Sequence, residues 1–182
     1  MTNMAKSSTA SLADDIMTIR VTFEAGNFRD IEIAGSASLY KLAEAIIKAY
    51  GFDFDHAFGF YSKLSGRFYS SPIKYELFFD MGDPSEGARS VKKTSVAEAY
   101  GKTKAKLLFL FDYGDEWLFK TERTGSGPKT PKAKYPRVVN AEGEAPEQYP
   151  AWEEDSDDRP FAEKYETSVE HGITVVRRKE PK

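Results

Sequence analysis

Cysteine is absent from the 182 residues, and histidine occurs only twice. Without thiols there can be no disulfide, thiolate zinc site, iron–sulfur cluster or cysteine nucleophile, so any metal would need oxygen or imidazole ligands. A formal net charge of −3 gives no field of one sign with which to gather nucleic acid, although a local basic patch is still open. No run of about 18 apolar residues occurs, and the opening MTNMAKSSTASLADD has no apolar stretch of the signal-peptide kind. The expectation is a soluble, cytoplasmic protein with no membrane span. Catalytic signatures are missing as well. GSGPKT, Gly125 to Thr130, lacks the GxxxxGK[ST] spacing and the strand-to-helix setting of a phosphate loop, and no GxSxG or HExxH element appears. Nucleotide hydrolysis and serine or zinc hydrolysis are therefore unsupported, and no cofactor is indicated.

What is present is apolar and aromatic surface, 40% and 14% of the residues, enough to offset chain entropy over one domain of ordinary length. Met1 to about Asp15 is polar and aperiodic and reads as a disordered leader. IMTIRVTFEA then alternates, with Ile19, Val21 and Phe23 on one face, and Gly26 with Asn27 turns the chain into FRDIEI. Ser36 or Ser38 can cap a helix in which Leu39, Leu42, Ala43, Ile46, Ile47 and Tyr50 recur at i, i+3, i+4 spacing until Gly51. Strands are expected at His56–Leu64 and Ile73–Phe79, an exposed mobile loop at Asp80–Lys93, and a short helix after a Thr94 cap. The Gly/Pro/Lys stretch GSGPKTPKAKYPRVV reads as loop. An acidic excess from Glu142 to Glu163, with Trp152 and Phe161 as isolated aromatics, precedes the basic RRKEPK, and ITVV at Ile173–Val176 is a candidate edge strand.

These elements predict an α+β fold, a β-hairpin and helix reminiscent of the β-grasp, extended into one mixed sheet of about five to seven strands with helices on one face. The single domain spans residues 16–148, and 149–182 form an acidic, then basic, tail.

The densest signal is LLFLFDYGDEWLFKTE, Leu107 to Glu122, two apolar strands meeting at an acidic turn. If Tyr113 and Gly114 are the central pair of the turn, Asp112 faces Asp115 and Leu110 faces Trp117. Facing like charges call for compensation by a cation, basic neighbours, turn amides or a shared proton. The competing explanation is that each aspartate accepts bonds from its own turn backbone. His56, between acidic neighbours Asp53 and Asp55, is a candidate base or ligand, or a structural histidine with its bonds satisfied. With Glu122, these residues complete a candidate site of His56, Asp112, Tyr113, Asp115, Trp117 and Glu122. Trp117, Phe119, Phe109, Phe111, Phe78 and Phe79 could stack on bases, or form core as strand aromatics commonly do. Lys129, Lys132, Lys134 and Arg137 could touch phosphates or an acidic partner. No third ligand for a tight transition metal is identifiable, so no metal is assigned.

Three segments carry a resemblance: IRVTFEAGNFRDIEIAGSASLYKLAEAIIKAYGFDFDHAFGF, FLFDYGDEW and YPRVVNAEGEAP. The histidine followed four residues later by phenylalanine, His56 and Phe60, and the run Phe111, Asp112, Tyr113, Gly114, Asp115 and Trp117 resemble the plasmid pRiA ORF-three-like family. Its members also carry the label of insertion-element passengers, TnpR-like, and it has no assigned molecular activity. Relatives commonly place a histidine two residues after the tryptophan and cysteines near the proline-arginine and glycine-glutamate stretches, where this chain has Phe119, Val138 and Ala145. Any site those residues form in relatives is lost here. The mobile-element label describes genomic context and implies no recombinase chemistry.

The leading expectation is a non-enzymatic interaction or binding module, since no catalytic set is complete. One alternative is an enzyme with an acidic, divalent-metal site at the Asp112/Asp115 turn. Another is a nucleic-acid-binding accessory of mobile elements. The sequence leaves the partner open, with a protein partner among the candidates.

Overall fold

The computed structural model describes residues 12–102, 106–149, 165–170 and 173–178. The chain divides into two compact units, residues 1–148 and 149–182. Most of the leader and the segment with Trp152 and Phe161 lie outside the described residues.

In the first unit the β1 strand (Ile16–Glu24) and β2 (Asn27–Ala34) form the opening hairpin, and α1 (Leu39–Ala49) follows. Next come β3 (Phe58–Tyr61), β4 (Lys74–Glu76), α2 (Leu77–Met81), β5 (Arg89–Ser90) and α3 (Val96–Lys102). The paired strands β6 (Lys106–Phe111) and β7 (Trp117–Gly127) precede β8 (Arg137–Glu142). One eight-stranded sheet results, ordered β5-β4-β3-β6-β7-β1-β2-β8, antiparallel except for the β4–β5 pair. The fold is α+β with one mixed sheet, a strand larger than the sequence suggests.

Alternation sorts the side chains onto two faces. The β6 sequence KLLFLF is buried at five of six positions because Leu107, Phe109 and Phe111 enter the main core while Leu108 and Leu110 enter a second cluster with Tyr61 and Phe68. The main core also takes Leu39, Leu42, Ala43, Ile46 and Ile47 from α1 and Val96, Ala97, Ala99 and Tyr100 from α3. Each fully buried Leu or Ile there stabilises the fold by roughly 1.5–3 kcal/mol. Ser38 Oγ accepts from the Lys41 amide at 3.2 Å, capping α1, and Gly51 at φ 73° releases the chain at its end.

Three expectations need correction. Ile73–Phe79 is strand only over Lys74–Glu76; Leu77–Met81 turns helical and Gly82 closes it at φ 90°. A short apolar run cannot by periodicity alone distinguish the two states. The segment Asp80–Lys93 is stitched in place: Asp80 accepts from Ser90 Oγ at 2.6 Å and from the Val91 and Lys92 amides at 3.0 and 3.2 Å. Val91 is buried, and the carbonyls of Val91 and Thr94 accept from the first-turn amides of Tyr40 and Leu39. Finally, the supposed loop after Thr124 contains the end of β7 and leads into β8, whose six residues are all exposed and so carry no apolar alternation.

In the second unit β9 (Tyr165–Glu170) and β10 (Ile173–Arg178) pair antiparallel. The ITVV segment is thus strand, paired with β9. No helix among the described residues is long and apolar enough to cross a membrane.

Candidate functional site

Residues 112–116 join β6 to β7, with Phe111 opposite Trp117 and Leu110 opposite Leu118. The two-residue turn with facing Asp112 and Asp115 is therefore not formed. Asp112 and Glu116 both adopt left-handed backbone, φ 60° and 52°. Asp112 stabilises the loop itself: its Oδ1 accepts from the Gly114 amide and its carbonyl from the Glu116 amide, each at 2.8 Å. Its own amide donates to Ala57 at 3.0 Å. Short polar side chains tolerate this conformation through such local bonds.

The wider loop sends its side chains to two different neighbours. On one side lies an acidic corner. His56 Nδ1 is 2.8 Å from Asp55 Oδ1, its Nε2 is 3.4 Å from Asp112 Oδ2, and the ring meets Phe111 edge-on at 6.0 Å. The hydrogen bond to Asp55 raises the His56 pKa, burial opposes it, and the charges of Asp112, Asp55 and Asp115 add to the rise. Asp115 is exposed and acts on the ring through its charge. Gln148 fastens the same corner, accepting from the Asp53 amide at 2.7 Å and donating to the Asp53 carbonyl at 3.2 Å and Asp55 Oδ1 at 3.3 Å.

On the other side Tyr113 leans over β3. Its hydroxyl is 2.9 Å from that of Tyr61, which donates to Glu76 at 3.2 Å. A Cβ at Gly59 would lie 2.9 Å from both hydroxyls, so glycine there admits the tyrosine pair. Ser85 Oγ reaches both Glu76 oxygens, at 2.9 and 2.8 Å, and Tyr69 donates to Glu116 at 2.7 Å. Tyr69, Glu76, Phe78, Asp83, Pro84, Ser85 and Tyr113 line an open, cleft-like cavity of about 400 Å³. Burial leads the rise of the Tyr113 pKa to about 12, and also raises those of Tyr61 and Tyr69, so all three phenols stay neutral at physiological pH.

The remaining predicted residues lie elsewhere. Trp117 joins the core against Phe23 and Phe52, at centroid distances of 5.8 and 4.8 Å. Phe109, Phe111 and Phe119 are fully buried and present no stacking surface. Glu122 sits opposite Lys106 and Arg20, 3.4 Å from the Lys106 ammonium. It lies five residue steps along β7, roughly 17 Å, from Trp117 and the loop. Lys129, Lys132 and Lys134 are exposed, while Arg137 pairs with Glu32 at 2.7 Å. Among the described residues no group of three His, Asp or Glu could hold a metal ion.

A family model described as plasmid pRiA4b ORF-3-like protein matches residues 16–150. The chain belongs to the plasmid pRiA4b ORF-3-like family. A crystal structure of a protein of unknown function from Methanosarcina mazei Go1 superposes with a TM-score of 0.58 at 16% identity, covering 72% of this chain and 71% of that one. That similarity concerns the fold alone. No curated protein matches the chain. In this plasmid pRiA4b ORF-3-like protein, Phe119 is a core residue packed on Tyr50 at 4.9 Å, whereas Val138 and Ala145 are exposed.

Sequence reasoning missed Tyr61, Tyr69, Glu76, Ser85 and Gln148. Glu76 carried one usable signal: it follows Tyr75 in a strand whose neighbours are buried, so a carboxylate there demands partners. Ser85 and Gln148 carried none, since each lies in a polar stretch.

Proposed function

We propose that this family member is a soluble, cytoplasmic, non-enzymatic binding module, with the 16–148 domain as the binding unit and 149–182 as an appended tail. The carrying observation is that the loop bearing the family resemblance puts Tyr113 into the wall of a cavity of about 400 Å³ containing a buried carboxylate, Glu76. Cavities of this size lined by rings and a few convergent polar groups suit small ligands or single side chains. Amide-shift mapping on the isotope-labelled protein, with cationic, anionic and neutral probes, tests the reading. Saturable shifts clustered at residues 59, 69, 76–85 and 113–116 support it; silence from every class contradicts it.

A second reading, an enzyme using His56 with Asp112, has the 3.4 Å His56–Asp112 approach in its favour. A histidine set between carboxylates can work as a general base. It predicts that Asp112→Asn removes a measurable turnover while leaving the cavity's ligand binding intact; equal turnover in both proteins would end it.

A further inference from the structure

The geometry points to an organic ammonium group, methylated at nitrogen, as the ligand of the Tyr69–Phe78–Tyr113 cavity. This rests on the binding-module reading and names its ligand class.

Two features converge. The first is aromatic. Tyr69 and Tyr113 lie nearly parallel, 22° apart with centroids at 6.1 Å, and Phe78 tilts against Tyr113 at 5.0 Å. Such ring faces attract a cation placed within about 6 Å of their centroids. The second is charge. Glu76 is only 4% exposed, and among the described residues no ammonium or guanidinium pairs with it. Lys74, on the same strand face, directs its ammonium to the Tyr69 carbonyl at 3.3 Å. A carboxylate taken out of water is expected to be paired, and Asp83 adds a second carboxylate at the cavity wall.

The hydrogen-bond pattern selects among ammonium groups. The Ser85 hydroxyl shares its one proton between the two Glu76 oxygens, Tyr61 donates to Oε1, and the Ser85 amide donates to Oε2 at 3.4 Å. Glu116 is engaged by the Tyr69 hydroxyl. Glu76 is already engaged by these donors and the rings of Tyr69, Phe78 and Tyr113 offer no strong acceptor, so a primary ammonium over the rings would surrender water bonds that they do not replace, whereas a methylated nitrogen has few or none to lose. Its charge still feels Glu76, and its methyl groups cover the rings. A free quaternary amine and a methylated lysine side chain share this chemistry.

Titration calorimetry on the full chain tests the inference with three probes at matched ionic strength: choline chloride, its neutral isostere 3,3-dimethylbutan-1-ol, and the N-acetyl methylamide of trimethyllysine. Saturable binding is expected for a charged probe, with the neutral isostere roughly tenfold or more weaker. Tighter binding of choline than of the lysine amide points to a free amine, and the reverse order to a modified protein. Tyr69→Phe keeps the ring and should hold the affinity within about threefold, while Tyr69→Leu and Glu76→Gln should each weaken it roughly tenfold. Tyr69 is 43% exposed, and a cooperative thermal melt of Tyr69→Leu and Glu76→Gln checks that each variant is folded before its affinity is read. Equal affinity for the charged and neutral isosteres, or unaltered choline binding by Tyr69→Leu, overturns the assignment. If neutral or anionic probes shift the cavity amides and charged amines do not, the ammonium assignment falls and the binding-module reading stands. If no probe does, both fall.

Discussion

Beneath α1 and α3 the sheet presents Met17, Ile19, Val21, Phe58, Phe109 and Phe119, a core whose polar groups, the hydroxyls of Tyr50, Tyr75, Tyr100 and Thr121, are uncharged, whereas its other face near β3 and β6 encloses Tyr61 beside Leu108, Leu110 and Phe68. At the edge of that second cluster stand the Tyr113 hydroxyl and the buried Glu76 carboxylate. Burial of apolar area accounts for the first face. Enclosing a phenol pair and a carboxylate adds little net stability, because their bonds only replace bonds to water. The contrast separates a face that holds the fold from one whose polar groups the proposed binding role would use.

The largest expected effect lies on the helix-covered face. Phe109→Ala should destabilise the protein by about 3–5 kcal/mol in urea unfolding, through lost transfer energy and the cavity left behind. A loss below about 1 kcal/mol would mean that the two faces are not distinct in this way. Next, Gly59→Ala should remove about 1–3 kcal/mol and abolish choline binding, since the added methyl must displace the Tyr61 and Tyr113 hydroxyls. Unchanged stability and binding together would show that the tyrosine pair is not fixed over β3.

A smaller effect concerns the acidic corner. The folded His56 pKa is raised above the unfolded value near 6.5, first by Asp55 and then by the charges of Asp112, Asp55 and Asp115. Its stabilising contribution is therefore complete below about pH 6.5 and is lost as pH rises through the higher folded value. Because the side chain is 39% exposed, solvent screens the effect, and the change should stay below about 1 kcal/mol. His56→Ala should flatten the stability profile above pH 6.5, and Asp112→Asn should lower the His56 midpoint in a proton NMR titration. A midpoint at or below 6.5 in the native protein would refute the pairing. The smallest effect is Glu122→Ala: less than about 0.5 kcal/mol, with choline affinity unaltered, as expected of an exposed strand pair. A tenfold loss of affinity would reconnect Glu122 with the site.

Much of the scaffold was legible because its elements are locally consistent. Alternation marked β1 and β2, and the i, i+3, i+4 series with Ser38 and Gly51 marked α1. The strand β8 was not, because exposure on both faces leaves no pattern to read. At the candidate site, the grouping of His56 with Asp112 could be anticipated from residue types. Its geometry could not: the left-handed Asp112 and Glu116 widen a presumed two-residue turn to five, which parts Asp112 from Asp115 and frees Tyr113 to cross β3. Glu76, Ser85 and Tyr69 meet Tyr113 only through the β3–β4 and β3–β6 pairings and the turn at Gly82, long-range relations that no local spacing encodes.

Urea unfolding of the double variant Tyr61→Phe with Glu76→Gln, beside the native protein, tests the separation of the two faces most directly. The shapes are kept while the hydroxyl and the charge are removed together, so stability should stay within about 1 kcal/mol of native or rise. A loss of about 3 kcal/mol or more would show that the cluster holds the fold together as the opposite core does, and would contradict its assignment to ligand binding.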